Sequence, residues 1–460
     1  MPLKKIQELK EAGDVDRLIE LLIAGDVKER EESAKALGIL GDKYALDTLI
    51  RALDDEEDTV RSNVILAIAH MDAERGIEPL IECLDDDSWV VRHDAAIALG
   101  HIGNEEAVEA LGELLDKEEE IEIREKAAES LGKIGGEKAF EVLLEHMDEF
   151  DIEEQVIYSL VKIDGDEILP HLAKKMKEGE KPIREAAVHG LASLGSEDAG
   201  DLLIEALKDD SWRIREDAAK ALGQISYKKA KSPLIETLED PKRFVVESAL
   251  ESLGKIGSEE IVPVIKEKLD SEIPEIRSSA AEALGDISTE LSIEVLLEFL
   301  KKEEHPRVLW VISDALADVP EEYMDTIYDS LDESFGVKKI VLSVSLGKMN
   351  DTRVIPYLLE SVDDDRWKIR HKVVEALRCI DLRHVGDKRA KSIIRKLRES
   401  LYDNDKWVKV EAVKGLAEKI NEVEDRINTD REINELKEMA KSEGDEDVKE
   451  VLKVNLKKLK

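Results

Sequence analysis

Eight arginines fall at near-constant intervals in this 460-residue chain: Arg30, Arg61, Arg92, Arg124, Arg184, Arg215, Arg277 and Arg370. A guanidinium is a planar fork of donors that suits a carboxylate or a phosphate. Acidic residues stand about five positions ahead of several of them, as Asp87, Asp210 and Asp365 do. Two chemistries fit: a structural ladder onto carboxylates and helix-end carbonyls of a neighbouring unit, or a phosphate-binding ridge. The even spacing favours the ladder. A second column reads Glu20, Arg51, Glu82, Glu113, Glu145, Lys174, Glu205, Glu236, Glu267, Glu298, Ser330 and Glu360. Glutamate is a good helix former on a solvated face, but stacked glutamates also focus field lines in a groove. Both readings stay open. Asp and Glu number 108 against 68 Lys and Arg, a net charge of −40, which tips the balance toward a groove for a basic protein segment.

Catalytic patterns are missing. None of the nine histidines is followed by Glu, so HExxH is absent. Gly132-Lys133, Gly254-Lys255 and Gly347-Lys348 are followed by Ile or Met, which rules out a phosphate loop of the Gly-Lys-Ser/Thr type. GxSxG and EF-hand loops are also absent. No catalytic residue, cofactor or metal site is therefore expected, and the chain reads as a binding protein rather than an enzyme. Cys83 and Cys379 are too few for a disulfide framework and fit a reducing cytoplasm. The first residues, Met1 to Leu9, are too charged for a secretory signal, and no apolar run is long enough to span a membrane. The negative charge opposes nucleic acid and anionic membranes, both of which need a basic face. One segment breaks the rule: residues 378–398 carry Arg378, Arg383, Lys388, Arg389, Lys391, Arg395, Lys396 and Arg398 against Asp381 and Asp387. It is either a docking patch for an acidic partner or an exposed charged helix.

The elements that position these columns follow from a repeat. Seven residues after each arginine stands an apolar anchor. The anchors are Ile6, Leu37, Ile68, Leu99, Leu131, Leu160, Leu191, Leu222, Leu253, Leu284, Leu316, Leu346 and Leu377, then more loosely Leu416 and Leu456. The usual step is 31 residues. Helix A runs through the anchor. A stop follows four residues later at Gly41, Gly103, Gly135, Gly195 and Gly257, with Asp164, Ser226 and Asn350 in the same place elsewhere. Helix B then buries positions 8, 12 and 16 past the anchor, such as Ala107, Leu111 and Leu115. Such a pair cannot bury its apolar stripe alone, and stacking neighbours does so. The fold expected is all-α: an α-solenoid superhelix of about 13 stacked helix pairs. Residues 1–380 form the regular array and 381–460 less regular helical repeats with a cap. Leu3, Ile6, Leu9, Leu18 and Leu22 at one end, and Val448, Val451, Leu452, Leu456 and Leu459 at the other, read as capping faces.

The pattern Val/Ile-Arg-x-x-Ala-Ala-x-Ala-Leu-Gly, the Gly-closed turn and the Leu-rich second helix resemble HEAT-like repeats of the phycobilisome-lyase type. The resemblance is strongest around Leu37, Leu99, Leu131, Leu222, Leu253 and Leu284 and weaker at Leu160, Leu316, Leu346 and past residue 380. It implies that helix B lines a concave face, which would put the glutamate column inside a groove. It also implies an alternative function, bilin lyase-like chromophore handling, although neither cysteine nor any histidine forms a recognisable shared site. Deoxyhypusine hydroxylase, on similar repeats, holds iron with paired His-Glu motifs that this chain lacks, and HEAT-like DNA glycosylases want a basic concave face. The function expected is a protein–protein interaction scaffold or adaptor. The arginine column fails at Glu153, Val246 and Leu309 and becomes Lys339 and Lys409. Trp89, Trp212 and Trp367 stand three residues before a column arginine, and their regular placement predicts a packing staple.

Overall fold

The computed structural model describes residues 2–71, 74–118, 120–149 and 151–459. Among them are 29 α-helices, ten short 3₁₀ turns and no strand. The helices alternate A and B in chain order. Helix Val27–Leu40 shows how one unit is delimited. Asp26 and Glu29 cap its start reciprocally, and Gly41, at φ 65°, closes it in the left-handed conformation that costs glycine nothing. Many B helices enter through a 3₁₀ turn, as Lys43–Ala45 does before Leu46–Arg51.

The chain packs as two compact units, Met1–Ile225 and Ser226–Lys460. The first holds seven A/B pairs, from Pro2–Ala12 with Val15–Ala24 to Lys181–Leu194 with Glu197–Ala206, and then the A helix Trp212–Gln224. The second opens on the B helix Lys231–Thr237, continues through six pairs from Arg243–Ile256 to Asp430–Ser442, and ends with Glu446–Leu456. The loss of regularity past residue 380 lies inside the second unit.

Within each unit the anchors form the spine of the core. Thirteen of the fourteen from Ile6 to Leu416 are fully buried, and Ile6 is 4% exposed. The glycine after the anchor leucine has a separate task from the turn glycine. A methyl group on Gly100 would sit 2.5 Å from Cβ and 2.7 Å from Cα of Ser130 on the next A helix. Gly38 against Ala67, Gly132 against Ser159, Gly254 against Ala283 and Gly285 against Ala315 repeat that approach. Successive A helices are thus drawn together until backbone meets small side chain, a spacing that no larger residue permits.

Two local expectations change, at Asp164 and Leu456, and Ser288 joins the expected stops Ser226 and Asn350. Asp164 is extended (φ −151°) and caps the following B helix by accepting the N–H groups of Asp166 and Glu167. Ser288 adopts the left-handed turn (φ 49°), as Ser226 and Asn350 do. Leu456 is only half-buried, and its helix is held instead by Val448 and Leu452. At the other end Ile6, Leu18 and Leu22 are buried, while the side chain of Leu3 lies outside the described residues. No helix of the described residues is long and apolar enough to cross a membrane.

Candidate functional site

The arginine column makes its bonds from one helix pair to the next. Arg61 donates to both carboxylate oxygens of Asp86, at 2.8 and 2.7 Å, and to the carbonyl of Asp55 at 2.7 Å. Arg92 holds Glu118 at 2.7 and 3.2 Å and the Asp86 carbonyl at 2.8 Å. Arg184 takes Asp209, Arg277 takes Glu303 and Arg370 takes Asp403, each with two bonds of 2.6–3.1 Å. Arg30 reaches Asp55 at 3.0 Å. Arg124 bonds to the Leu115 carbonyl and to Glu149, and Arg215 to the carbonyls of Asp209 and Asp210. The residues five or six positions ahead contribute backbone carbonyls, acids at Arg61, Arg92, Arg215 and Arg370 but glycines at Arg30 and Arg184, and the carboxylate comes from the end of the next B helix. That carboxylate is itself fixed: Asp86 also accepts the Ser88 N–H at 2.8 Å. Burial pushes the Asp209 carboxyl upward, but Arg184 and the Ser211 N–H outweigh it and hold it below the ordinary range. Glu303 and Asp403 are lowered against burial in the same way by Arg277 and Arg370. These guanidiniums are engaged within the fold.

Most of the irregular repeats are compensated, Glu153 being the exception. Val246 and Leu309 are buried in place of arginine, and the positions 25 residues on, where Arg61 and Arg184 find their carboxylates, hold Ser271 and Ser334. Ser271 keeps the turn-capping role by accepting the Ile273 N–H at 3.2 Å. Both charges have gone together, as they must when one left alone would be buried and unpaired. Lys409 keeps a pair with Glu443 at 3.7 Å. Lys339 turns its ammonium over the Tyr357 ring at 4.5 Å. Glu153 has a buried oxygen without a hydrogen-bond partner, and burial pushes its carboxyl up.

The glutamate column is exposed at every Glu. In the first unit, Glu113 pairs with Lys117 at 2.5 Å and Glu205 with Lys177 at 3.7 Å, while Glu82 and Glu145 have no ion pair among the described residues. In the second, Glu298 meets Lys266 at 3.0 Å, while Glu236, Glu267 and Glu360 have none. A dense negative site joins this column to acids it does not include. A cleft of about 750 Å³ in the first unit is lined by Glu113, by Glu106 and Glu109 at the start of the same B helix, and by the loop acids Asp85, Asp86 and Asp87. Glu118 and Glu120 complete it. The cations among its described lining residues, Arg92 and Lys117, are already bonded to Glu118 and Glu113, and Asp86 is held by Arg61. Sequence reading missed the cleft because its acids belong to three different columns. The run Asp85-Asp86-Asp87 was the available signal.

The basic segment is partly neutralised. Arg378 bonds to Glu411, Arg383 to Asp381, Lys396 to Asp363 and Arg398 to Glu432, and Arg395 lies 3.8 Å from Glu399. Lys388, Arg389 and Lys391, on helix Asp387–Ser400, are exposed and carry no ion pair among the described residues.

The tryptophans are not packing staples. Trp89 is 53% and Trp367 40% exposed. Trp212 is half-buried, with the Arg213 guanidinium 5.6 Å from its ring centre. All three stand in the first turn of helix A, ten residues before the anchor, which puts them beside the buried face rather than on it. Trp367 instead joins Trp310 and Trp407 around a hollow of about 380 Å³ in the second unit. Among the described residues no cluster of His, Cys, Asp and Glu could hold a metal ion.

A profile of HEAT repeats matches residues 15–100, 77–161, 169–253 and 233–317, more than half of the sequence. The chain belongs to the HEAT-repeat family. Solved structures of similar fold include yeast importin-beta (Kap95p), with a TM-score of 0.60 at 12% identity over 98% of this chain and 70% of that one. Kap121p gives a TM-score of 0.58 at 15% identity over 96% of this chain. The chain spans a little over half of Kap121p, 57% of its length. At these identities the fold is shared and nothing more. The CpcE–CpcF complex of phycocyanin lyase from Nostoc sp. PCC7120 reaches 21% identity but a TM-score of only 0.29 over 48% of this HEAT-repeat chain, which carries no argument for a lyase. No curated protein matches in sequence.

Proposed function

We propose that this HEAT-repeat protein is a binding scaffold, not an enzyme, and that its acidic B-helix surface takes a basic protein segment. The observation that carries this reading is the cleft between Asp85 and Glu120: of its eight lining carboxylates Asp86, Glu113 and Glu118 are paired inside the fold, and Asp85, Asp87, Glu106, Glu109 and Glu120 have no ion pair among the described residues. Such a cleft keeps uncompensated negative potential, steers a basic segment toward itself and repels an acidic one. Glu82, Glu145, Glu236, Glu267 and Glu360, unpaired on the B helices, extend the same preference within each unit. Proteins of this fold are known in complex with other proteins: Kap95p with Nup1 and Kap121p with Pho4p. The test is a hydrogen-exchange footprint of the full chain with a short Lys/Arg-rich peptide. Protection should appear over residues 81–120. A footprint confined to other segments, or none at saturating peptide, would remove the proposal.

A further inference from the structure

Three of the chain's five tryptophans converge on one exposed hollow. They come from three A helices of the second unit: Trp310 from Pro306–Ala317, Trp367 from Trp367–Cys379 and Trp407 from Lys406–Val423. Trp367 is 40% and Trp407 49% exposed, and Trp310 is half-buried. A tryptophan carries the largest apolar surface of any residue, so grouping three at the surface leaves an uncovered aromatic floor that the core does not use. Grouped aromatics in a concave setting are the usual anchors of protein interfaces.

The charge around this floor is the reverse of that in the acidic cleft. The other lining residues are Lys368, His371 and Lys372, with no carboxylate, in a chain of 108 acids and 68 bases. Lys372 is engaged by Asp314 at 3.4 Å and Glu375 at 3.2 Å. Lys368 has no ion pair among the described residues, and its ammonium stands 5.7 Å from the Trp367 ring centre. An apolar side chain would rest on the indoles while a neighbouring carboxylate meets Lys368. A cationic ligand would face that ammonium, and a nucleic acid would carry phosphates toward a strongly negative chain.

We propose that the Trp310–Trp367–Trp407 hollow is a second protein-binding site, separate from the acidic cleft, that takes an acidic peptide segment anchored by an aromatic or large aliphatic side chain. The two sites would select partners of opposite charge.

The experiment selects a random-peptide display library on the full chain, then measures the enriched peptides by tryptophan emission and by affinity. Enriched sequences should combine Asp or Glu with Phe, Trp, Leu or Ile and shift the emission on binding. Trp367→Ala should weaken them about tenfold or more, as loss of an anchor residue does. Lys368→Glu should also weaken them while leaving the thermal melt unchanged, since its side chain is exposed and has no ion pair; this variant keeps the test valid if a tryptophan substitution disturbs folding. Charge reversal in the acidic cleft at Glu106, Glu109 and Glu113 should leave acidic-peptide binding intact, so either site can fail without the other. Enrichment of basic sequences, no enrichment over that on the Trp367→Ala variant, or a poly-dT oligonucleotide competing at the same tryptophans would overturn the proposal.

Discussion

Arg61 and Asp86, 25 residues apart in sequence, meet through two hydrogen bonds of 2.8 and 2.7 Å between successive helix pairs. Both side chains are largely shielded, at 14% and 16% exposure, and each has a second bond that fixes it: Arg61 to the Asp55 carbonyl and Asp86 to the Ser88 N–H. The pair therefore ties three pieces of backbone together. Arg61→Ala removes a charge-assisted bond and leaves a partly buried carboxylate, so it should cost about 1–3 kcal/mol. Urea denaturation measures this, and an unchanged midpoint would mean that the ladder is ornamental.

The ladder's gaps give a second test. Val246 and Ser271 occupy the places of an arginine and its carboxylate. Val246→Arg alone should destabilise, because it puts a long charged side chain in place of a buried valine and the ladder position, Ser271, offers no carboxylate. Val246→Arg with Ser271→Asp should recover part of that loss, with a coupling of roughly 0.5–3 kcal/mol in a double-mutant cycle. Strict additivity would show that the two positions do not face each other as the other ladder pairs do.

Gly100 tests the packing of the A helices. Its substitution by alanine places a methyl group 2.5 Å from Ser130 Cβ, and one or both helices must shift. A loss of about 1–3 kcal/mol is expected. Gly41→Ala has free space around it but a φ of 65°, so its cost should come from backbone strain alone, about 1 kcal/mol. If Gly100→Ala were as stable as the parent protein in thermal melts, the close approach would not be required.

Acid should open the ladder. Asp209, Glu303 and Asp403 have carboxyl pKa values below the ordinary range in the fold. Unfolded carboxylates take up protons near pH 4, and these three do so only at lower pH. The unfolded state thus binds more protons in that window, and stability present above about pH 4 is lost as pH falls through the depressed values. Relief of self-repulsion among the surplus acids acts in the opposite sense, so the informative quantity is a difference. Asp209→Asn should lose less stability than the parent protein between about pH 5 and about pH 2. Parallel melting curves for the two would contradict this account.

What the sequence discloses is whatever recurs. Leu99, Arg92 and Gly103 each report a role because counterparts in other units repeat it, and averaging over units separates the anchor, the ladder and the turn. Recurrence does not reach the tryptophans. Exposure of Trp89 depends on which side of helix A its turn faces, and regular spacing is equally compatible with either side. The acidic cleft was hidden for another reason: Asp87, Glu109 and Glu113 lie in separate columns, and only the packing of one B helix beside the preceding loop brings them to one wall. Likewise Trp310, Trp367 and Trp407 occupy different places in their units and converge only in three dimensions.

The central claim, that the cleft captures a basic segment by its charge, is tested most directly by association kinetics. The Lys/Arg-rich peptide is mixed in stopped flow with the parent chain, with a Glu106, Glu109 and Glu113 to Lys variant, and with a control reversing the exposed acids Asp329, Glu424 and Asp425 to Lys. All three are followed at low salt and at ionic strengths where the screening length falls to about 10 Å or less. The account predicts that the cleft variant loses about tenfold or more in association rate at low salt, that the control loses far less, and that the gap closes as salt rises. Equal losses in the two variants, which carry the same net charge, would contradict it.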